Sequence, residues 1–188
     1  MTRLRFAIAA VVVAVCAAPA AAAPPPVRAP SAIVVDAATG EVLYEKNTRD
    51  RRQIASTTKL MTALLTRERA KPADVFTAAP YSAGAAESKI NLRRGERMKV
   101  GDLFTALMLE SANDAAATLA EGIAGSRAAF VRAMNERAEE LGLEDTSYAN
   151  PIGFDDPQNY STAADLARLA RKLMEDRGFA RTVDRARA

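Results

Sequence analysis

The chain has 188 residues, a length typical of one domain, and 49% of them are hydrophobic, which is enough for a substantial core. It has no histidine and a single cysteine, Cys16, which excludes His-based triads, Cys–His pairs, His metal sites and a disulfide within the chain. The formal net charge of +3 comes without a basic patch interleaved with aromatic residues, so nucleic-acid binding is not expected.

The first 23 residues are predicted to form a secretory signal peptide. Arg3 and Arg5 give a positive start, residues 6–18 form an apolar run, and small alanines follow. The run is short for a membrane span, although a retained N-terminal anchor is an alternative. We expect cleavage within Ala20–Pro24, a stiff Pro-rich leader over residues 24–30, and export to the periplasm or the extracellular cell envelope.

A β-hairpin is predicted after this leader. Apolar runs at residues 32–36 and 41–45 flank the turn residues Ala38-Thr39-Gly40. Two strands alone are marginally stable and leave backbone groups unpaired at their edges. The hairpin therefore needs partners, and no later segment of the sequence is predicted to be a strand.

Helices are predicted for most of the remaining chain. The apolar periodicity predicts helices over residues 56–70, 102–111, 114–121, 126–142 and 161–178, capped among others by Asp102, Ser126 and either Ser161 or Thr162. Residues 75–99 and 148–159 lack this period and contain helix breakers, so they are predicted to be irregular. A hairpin followed by about five helices indicates an α+β domain.

Ser56 and Lys59 form an S-x-x-K motif. A serine hydroxyl is a weak nucleophile at neutral pH and needs an adjacent base, and a lysine whose pKa is lowered by burial can serve. Residues three apart lie on one face of a helix, so these side chains are predicted to touch. The helix N-terminus would favour a developing alkoxide. The alternative is a serine helix cap followed by an exposed lysine.

The segment Ser111-Ala112-Asn113 falls at the break between two predicted helices. Asn113 offers both a donor and an acceptor to a substrate amide, and Ser111 could relay a proton. The alternative is a pair of caps that ends one helix and starts the next. Taken alone, the segment does not decide between these interpretations.

Together the two motifs resemble those of the D-alanyl-D-alanine carboxypeptidase family, the low-molecular-mass penicillin-binding proteins of serine peptidase family S11. The second motif, with Ala112 at its centre, follows the first by about 50 residues. Ile152 stands where the family often has His. The resemblance extends over roughly residues 31–180, in blocks at residues 31–44, 54–63, 107–116, 150–155 and 160–166.

The resemblance implies a penicillin-binding protein or serine β-lactamase-like fold over residues 31–188. It implies an enzyme that removes the terminal D-alanine from peptidoglycan stem peptides through an acyl-serine, with no metal or organic cofactor. Ser56 would then attack the carbonyl and Lys59 would take its proton. Ser111 would help protonate the leaving amine, and Asn113 would bind the substrate amide. β-Lactam antibiotics would acylate the same serine, and no membrane association is evident once the signal is removed.

The third motif of this family, K-T-G on a β-strand, does not occur in the sequence, and the last lysine is Lys172. In the family this motif holds the substrate carboxylate and helps to complete the oxyanion hole, and removal of one oxyanion donor costs about 10²–10³ in kcat. We therefore expect the domain to be C-terminally incomplete, with the remaining strands of its sheet missing from this chain, and its activity to be impaired.

Three alternatives remain open at this stage. A serine β-lactamase would need a second base, and no Glu-x-x-x-Asn-type loop is found in the appropriate region. A non-catalytic cell-wall-binding module would keep the cleft without turnover, which fits the missing K-T-G. A purely structural helical domain would use both motifs as caps, and the resemblance makes this the weakest alternative.

Overall fold

A computed structural model describes residues 26–82, 84 and 86–185. The predicted signal peptide and its cleavage site lie outside the described residues. Six strands are present: β1 (Ala32–Val35), β2 (Val42–Lys46), β3 (Arg52–Gln53), β4 (Val75–Thr77), β5 (Arg97–Lys99) and β6 (Tyr160–Ser161). A 3-10 turn (Ala55–Thr58) precedes six helices: α1 (Lys59–Arg69), α2 (Val100–Leu109), α3 (Asn113–Ala124), α4 (Arg127–Glu140), α5 (Ala163–Met174) and α6 (Arg177–Val183).

The predicted hairpin is confirmed as the antiparallel pair β1–β2. Val34 lies opposite Tyr44, and the register shifts at the next position, where Val35 pairs with Val42. The β3–β6 and β4–β5 pairs are also antiparallel, and each of the three sheets has two strands among the described residues. The hairpin therefore keeps open edges in this part of the chain.

The core is helical, and α3 lies at its centre. This helix packs against α1, α2 and α4. Its buried alanines allow the surrounding helices to approach closely, and the larger apolar side chains come from Leu119 of α3 and from the neighbouring helices. The largest fully buried apolar side chains are Phe130, Met61, Leu65, Leu103, Leu107, Leu119, Met134, Leu169 and Leu173.

The start of α2 differs from the prediction that Asp102 caps this helix. The helix begins two residues earlier, at Val100, and Asp102 lies in its first turn. The N–H groups of Val100 and Gly101 donate to the carbonyl oxygens of Asp74 (2.8 Å) and Pro72 (3.0 Å). Backbone carbonyls of a neighbouring turn thus replace the capping side chain, because β5 leads directly into the helix.

The end of the chain also differs from the prediction of one helix up to Gly178. α5 starts after the predicted cap Thr162, whose hydroxyl accepts from the N–H of Asp165, but it ends at Met174. Asp176 then caps α6 by accepting from the N–H of Phe179, which is buried. A new helix starts here because the cap and the burial of Phe179 favour a change of direction over continuation.

The predicted irregular segment between residues 75 and 99 contains the β4–β5 pair at its two ends. Residues 78–96 between these strands form a long connection. α3 also starts at Asn113 and runs to Ala124, slightly longer than predicted.

The α+β class is confirmed. No helix within residues 26–82, 84 and 86–185 is long and apolar enough to cross a membrane.

Candidate active site

The nucleophile motif lies where a 3-10 turn runs into a helix. Ser56 is in the 3-10 turn and exposed, whereas Lys59 is the first residue of α1 and only 3% exposed. Residues i and i+3 of a 3-10 turn lie directly above one another, which brings the two side chains closer than an α-helix would. The Lys59 Nζ lies 3.4 Å from the Ser56 Oγ, and this is the contact expected from their spacing.

Lys59 is buried beside neutral partners. Its ammonium donates to the carbonyl oxygen of Ile152 at 2.8 Å and to the Ser56 hydroxyl. Burial lowers the pKa of Lys59 to about 8, and the negative charge of Glu87 partly opposes this shift. A substantial fraction of Lys59 is therefore neutral at slightly alkaline pH, which a proton acceptor for Ser56 requires.

The loop over residues 150–154 holds the Ile152 carbonyl in place. The Asn150 Oδ1 accepts from the N–H groups of Ile152 (3.2 Å), Gly153 (2.7 Å) and Phe154 (3.1 Å). The Thr62 hydroxyl, one turn after Lys59 on α1, donates to the Pro151 carbonyl at 2.7 Å. The loop is thereby attached to the helix that carries the lysine.

Gly153 lets this loop approach the nucleophile turn. Its φ is +104°, and a Cβ atom at this position would overlap the carbonyl oxygen of Ala55. Ala55 itself has a positive φ of 42° directly before Ser56. The backbone around the serine is thus shaped by a contact that only glycine at position 153 permits.

The second motif places Asn113 at the first position of α3. Its Nδ2 donates to the Glu87 Oε2 at 3.0 Å, and its backbone N–H donates to the Ser88 carbonyl at 2.8 Å. Ser111 lies in the break between α2 and α3, is half-buried, and has a positive φ of 53°. The break is therefore a sharp turn of the chain and not a continuation of one helix.

One cleft of about 220 Å³ brings three of the four predicted residues together. Ser56, Lys59 and Asn113 line it, and Ser111 is not among its lining residues in the described part of the chain. A serine, a lysine of lowered pKa and an amide converging in one cleft can support acyl transfer to the serine. The remaining lining residues are Ala86, Glu87, Ser88, Ile152, Gly153 and Phe154.

The sequence over residues 18–182 matches the D-alanyl-D-alanine carboxypeptidase family, peptidase family S11. This match covers most of the chain. The chain belongs to this family. The D-alanyl-D-alanine carboxypeptidase DacF of Bacillus subtilis is 40% identical over 152 residues, which are 78% of this chain and 39% of that protein. A D-alanyl-D-alanine endopeptidase of Pseudomonas aeruginosa is 38% identical over 141 residues, 74% of this chain and 45% of that protein.

Two solved structures share the fold of this chain. Penicillin-binding protein 6B from Escherichia coli superposes with a TM-score of 0.80 at 35% identity, over 87% of this chain and 56% of that one. The Streptomyces K15 DD-transpeptidase superposes with a TM-score of 0.80 at 29% identity, over 86% of this chain and 66% of that one. The predicted penicillin-binding protein fold is therefore confirmed.

The chain spans about two fifths of the length of the curated family members it matches, 39% of the Bacillus protein and 41% of DacD from Escherichia coli. Ser56, Lys59 and Asn113 lie within residues 18–182, the range that matches the family. The catalytic activity of the family is therefore a proposal for this chain.

Three site features of this family member were not predicted from its sequence. They are the carboxylate of Glu87, the backbone carbonyl of Ile152 and the close approach of Gly153. Every residue has a backbone carbonyl, so no residue type in the sequence indicates which carbonyl will bind Lys59. Glu87 lies in a segment without helical or strand periodicity, so its position in the fold could not be predicted. The residues Asn-Pro-x-Gly at 150–153 were the available signal for the loop, since Asn and Gly together favour a tight turn.

Proposed function

We propose that this chain carries the nucleophile and the base of a serine-type D-Ala-D-Ala carboxypeptidase that acts on peptidoglycan stem peptides through an acyl-serine intermediate. The observation that carries the proposal is the Ser56–Lys59 pair, in which an exposed hydroxyl lies 3.4 Å from a buried lysine whose pKa is lowered to about 8. Membership of the carboxypeptidase family supports the choice of substrate.

In the proposed reaction, neutral Lys59 accepts the proton of Ser56 as Oγ attacks the carbonyl carbon of the penultimate D-alanine. The C–N bond to the terminal D-alanine then breaks, and the leaving amine takes up a proton. We propose that Ser111 assists this proton transfer and that Asn113 binds the substrate amide. Water hydrolyses the acyl-serine ester and releases the shortened peptide.

Penicillins and other β-lactams would acylate Ser56 by the same attack, which opens the lactam C–N bond. This partner class is supported by the penicillin-binding proteins that share the fold. We also propose that the protein is exported, with residues 1–23 as its signal peptide, and acts in the periplasm or cell envelope. Peptidoglycan lies there, so substrate and proposed location agree.

Labelling with a fluorescent penicillin tests the nucleophile. We expect the purified chain to form a covalent adduct that survives denaturation, and Ser56→Ala to abolish it. Ser82→Ala, which removes an exposed serine outside the cleft lining, is the matched control and should leave labelling unchanged. Equal labelling of the wild type and Ser56→Ala would contradict the proposal.

A non-catalytic cell-wall-binding module, which would keep the cleft without turnover, is the second candidate. D-Alanine release from a D-Ala-D-Ala peptide distinguishes the two. For the purified 188-residue chain we expect release at a rate reduced by at least about 10²-fold relative to family members that contain K-T-G, because removal of one oxyanion donor alone costs about that much. Peptidoglycan binding with no release and no penicillin adduct would favour the binding module. Sustained hydrolysis of a chromogenic cephalosporin would instead indicate a β-lactamase.

A further inference from the structure

Glu87 places a carboxylate in the cleft that the proposed mechanism does not use. The half-buried side chain lines the cleft together with Ser56 and Lys59. Its Oε2 accepts from the Asn113 Nδ2 at 3.0 Å and from the Tyr81 hydroxyl in a short hydrogen bond. Its Oε1 accepts from the N–H of Gly84 at 2.7 Å. Both carboxylate oxygens are therefore occupied by donors.

These contacts make Glu87 unsuited to act as a base. The hydrogen bonds from Tyr81 and Asn113 are the main reason that its pKa is lowered to about 2. A carboxylate with so low a pKa takes up a proton from water poorly at neutral pH, whereas an efficient general base has a pKa near the working pH. Glu87 consequently does not fit the role of a second base that activates water on an acyl-serine.

The same contacts define the orientation of Asn113. An ionised carboxylate only accepts hydrogen bonds, so the group of Asn113 that faces Glu87 must be its NH₂ and not its carbonyl oxygen. The Asn113 Oδ1 accepts no hydrogen bond from another described residue, and Asn113 lines the cleft. The amide therefore keeps its carbonyl oxygen for a group bound beside Ser56.

The segment that carries Glu87 is attached to α3 independently of the Glu87 side chain. The Asn113 N–H donates to the Ser88 carbonyl at 2.8 Å. The neighbouring carboxylate of Asp114 accepts from the N–H groups of Ile90 (3.1 Å) and Leu92 (2.9 Å). Removal of the Glu87 side chain therefore should leave the backbone of this segment in place.

We propose that Glu87 is a positioning residue that holds the Asn113 carboxamide in one orientation, with Tyr81 donating to the same carboxylate oxygen and the Gly84 N–H to the other. Asn113 then presents its carbonyl oxygen as an acceptor to the backbone N–H of a peptide in the cleft. This inference rests on the proposed function for the identity of that peptide. The orientation of Asn113 itself can be measured without any turnover.

Nuclear magnetic resonance of the ¹⁵N-labelled 188-residue chain tests the orientation. The Asn113 side-chain NH₂ signals are identified by their loss in Asn113→Ala. In Glu87→Ala, we expect the hydrogen-bonded proton of this pair to shift upfield toward the position of a solvated amide. Glu110→Ala removes an exposed carboxylate that makes no hydrogen bond to Asn113 or Tyr81 within the described residues, and it should leave the pair unchanged.

Two further variants keep the inference falsifiable if Glu87→Ala folds poorly. Tyr81→Phe removes one donor from Glu87 and should shift the same signals by a smaller amount. In Glu87→Gln a neutral amide replaces the carboxylate, so the Asn113 NH₂ loses its charged acceptor whichever way the Gln amide turns, and the signals should also move. Unchanged Asn113 signals in folded Glu87→Ala, or in both other variants, would overturn the inference.

Penicillin labelling separates this inference from the proposed function. We expect the acylation rate of Glu87→Ala to fall by about tenfold, which corresponds to the loss of one charge-assisted hydrogen bond. If the wild type labels at Ser56 and the Asn113 signals do not respond to Glu87→Ala, the positioning role alone fails. If the signals respond and no adduct forms at Ser56, the proposed function alone fails.

Discussion

At the scale of single residues, Lys59 is the most unusual feature of the chain. A buried ammonium normally pairs with a carboxylate, because desolvation of a lone charge is costly. The groups within hydrogen-bond reach of Lys59 are instead a hydroxyl and a backbone carbonyl. Neither stabilises the charged form as a carboxylate would, so the environment favours loss of the proton and prepares the residue to accept one from Ser56.

The pH dependence of acylation follows from Lys59. Because its neutral form is the base and its pKa is about 8, the rate of penicillin acylation should rise about tenfold per pH unit below that value and level off above it. The acylation rate is measured by penicillin labelling that is quenched after fixed times, between about pH 6 and pH 10. Lys59→Arg, which stays charged throughout, should lose labelling at every pH. A wild-type rate that is constant over the range would contradict the assignment.

Gly153 contributes to the site through its backbone conformation and its lack of a side chain. Gly153→Ala combines a positive φ with overlap against the Ala55 carbonyl, and we expect the free energy of unfolding to fall by about 2–4 kcal/mol. Gly125→Ala is the matched control. Gly125 also has a positive φ but no atom near a Cβ, so the loss should be only about 1–2 kcal/mol. Urea denaturation measures both, and equal losses would exclude a role for the close contact.

At the scale of elements, the N-terminus of α3 positions the residues on one side of the cleft. Asn113 and Asp114, its first two residues, contact the segment at residues 87–92 through side chains and backbone. The buried carboxylate of Asp114 supplies an acceptor to two backbone N–H groups that lie outside any strand. The connection between β4 and β5 is therefore held by a helix end instead of a sheet.

Asp114→Ala should destabilise the chain more than an ordinary helix substitution. Two part-buried backbone donors lose their acceptor, and we expect a loss of about 2–4 kcal/mol in the free energy of unfolding. Asp102→Ala is the matched control, since Asp102 lies in the first turn of α2 and is exposed. It should cost at most about 1 kcal/mol through the helix dipole. Urea denaturation measures both losses. Equal losses would contradict the role of Asp114 as an acceptor for the N–H groups of Ile90 and Leu92.

At the scale of the whole molecule, the described chain combines a well-packed helical core with an incompletely covered hairpin. Val34 is 51% exposed and Leu43 is 61% exposed, although both lie in strands. Exposed apolar strands with open edges favour aggregation. The helical core and the hairpin therefore differ in how well their apolar surfaces are protected from water.

Leu43→Lys should slow heat-induced aggregation of the 188-residue chain without lowering its stability. The Leu43 side chain is mostly solvated, so a charged replacement costs little in packing, whereas it removes exposed apolar surface from a strand of the hairpin. Light scattering during heating measures aggregation, and circular dichroism measures the melting temperature. Glu45→Lys, a change on the same strand that removes no apolar surface, is the control. Equal aggregation of both variants would contradict a role of the exposed Leu43 side chain in aggregation.

Local features of the fold were predictable because their causes are local. The Ser126 cap, the Thr162 cap and the hairpin each depend on residues within a few positions of one another, and each is confirmed. The start of α2 was predicted wrongly, since its first N–H groups bind carbonyls of a preceding turn. A cap by backbone atoms has no residue preference that a sequence could reveal.

The sequence by itself determined the family, the α+β class and the Ser56–Lys59 contact, because motif spacing and helical geometry suffice for these. Only the tertiary structure decided the surroundings of that pair. The Ile152 carbonyl that binds Lys59 is 93 residues away, and the Glu87 carboxylate that binds Asn113 is 26 residues away. Such contacts depend on how helices and loops pack, and packing is a property of the whole chain that no local pattern encodes.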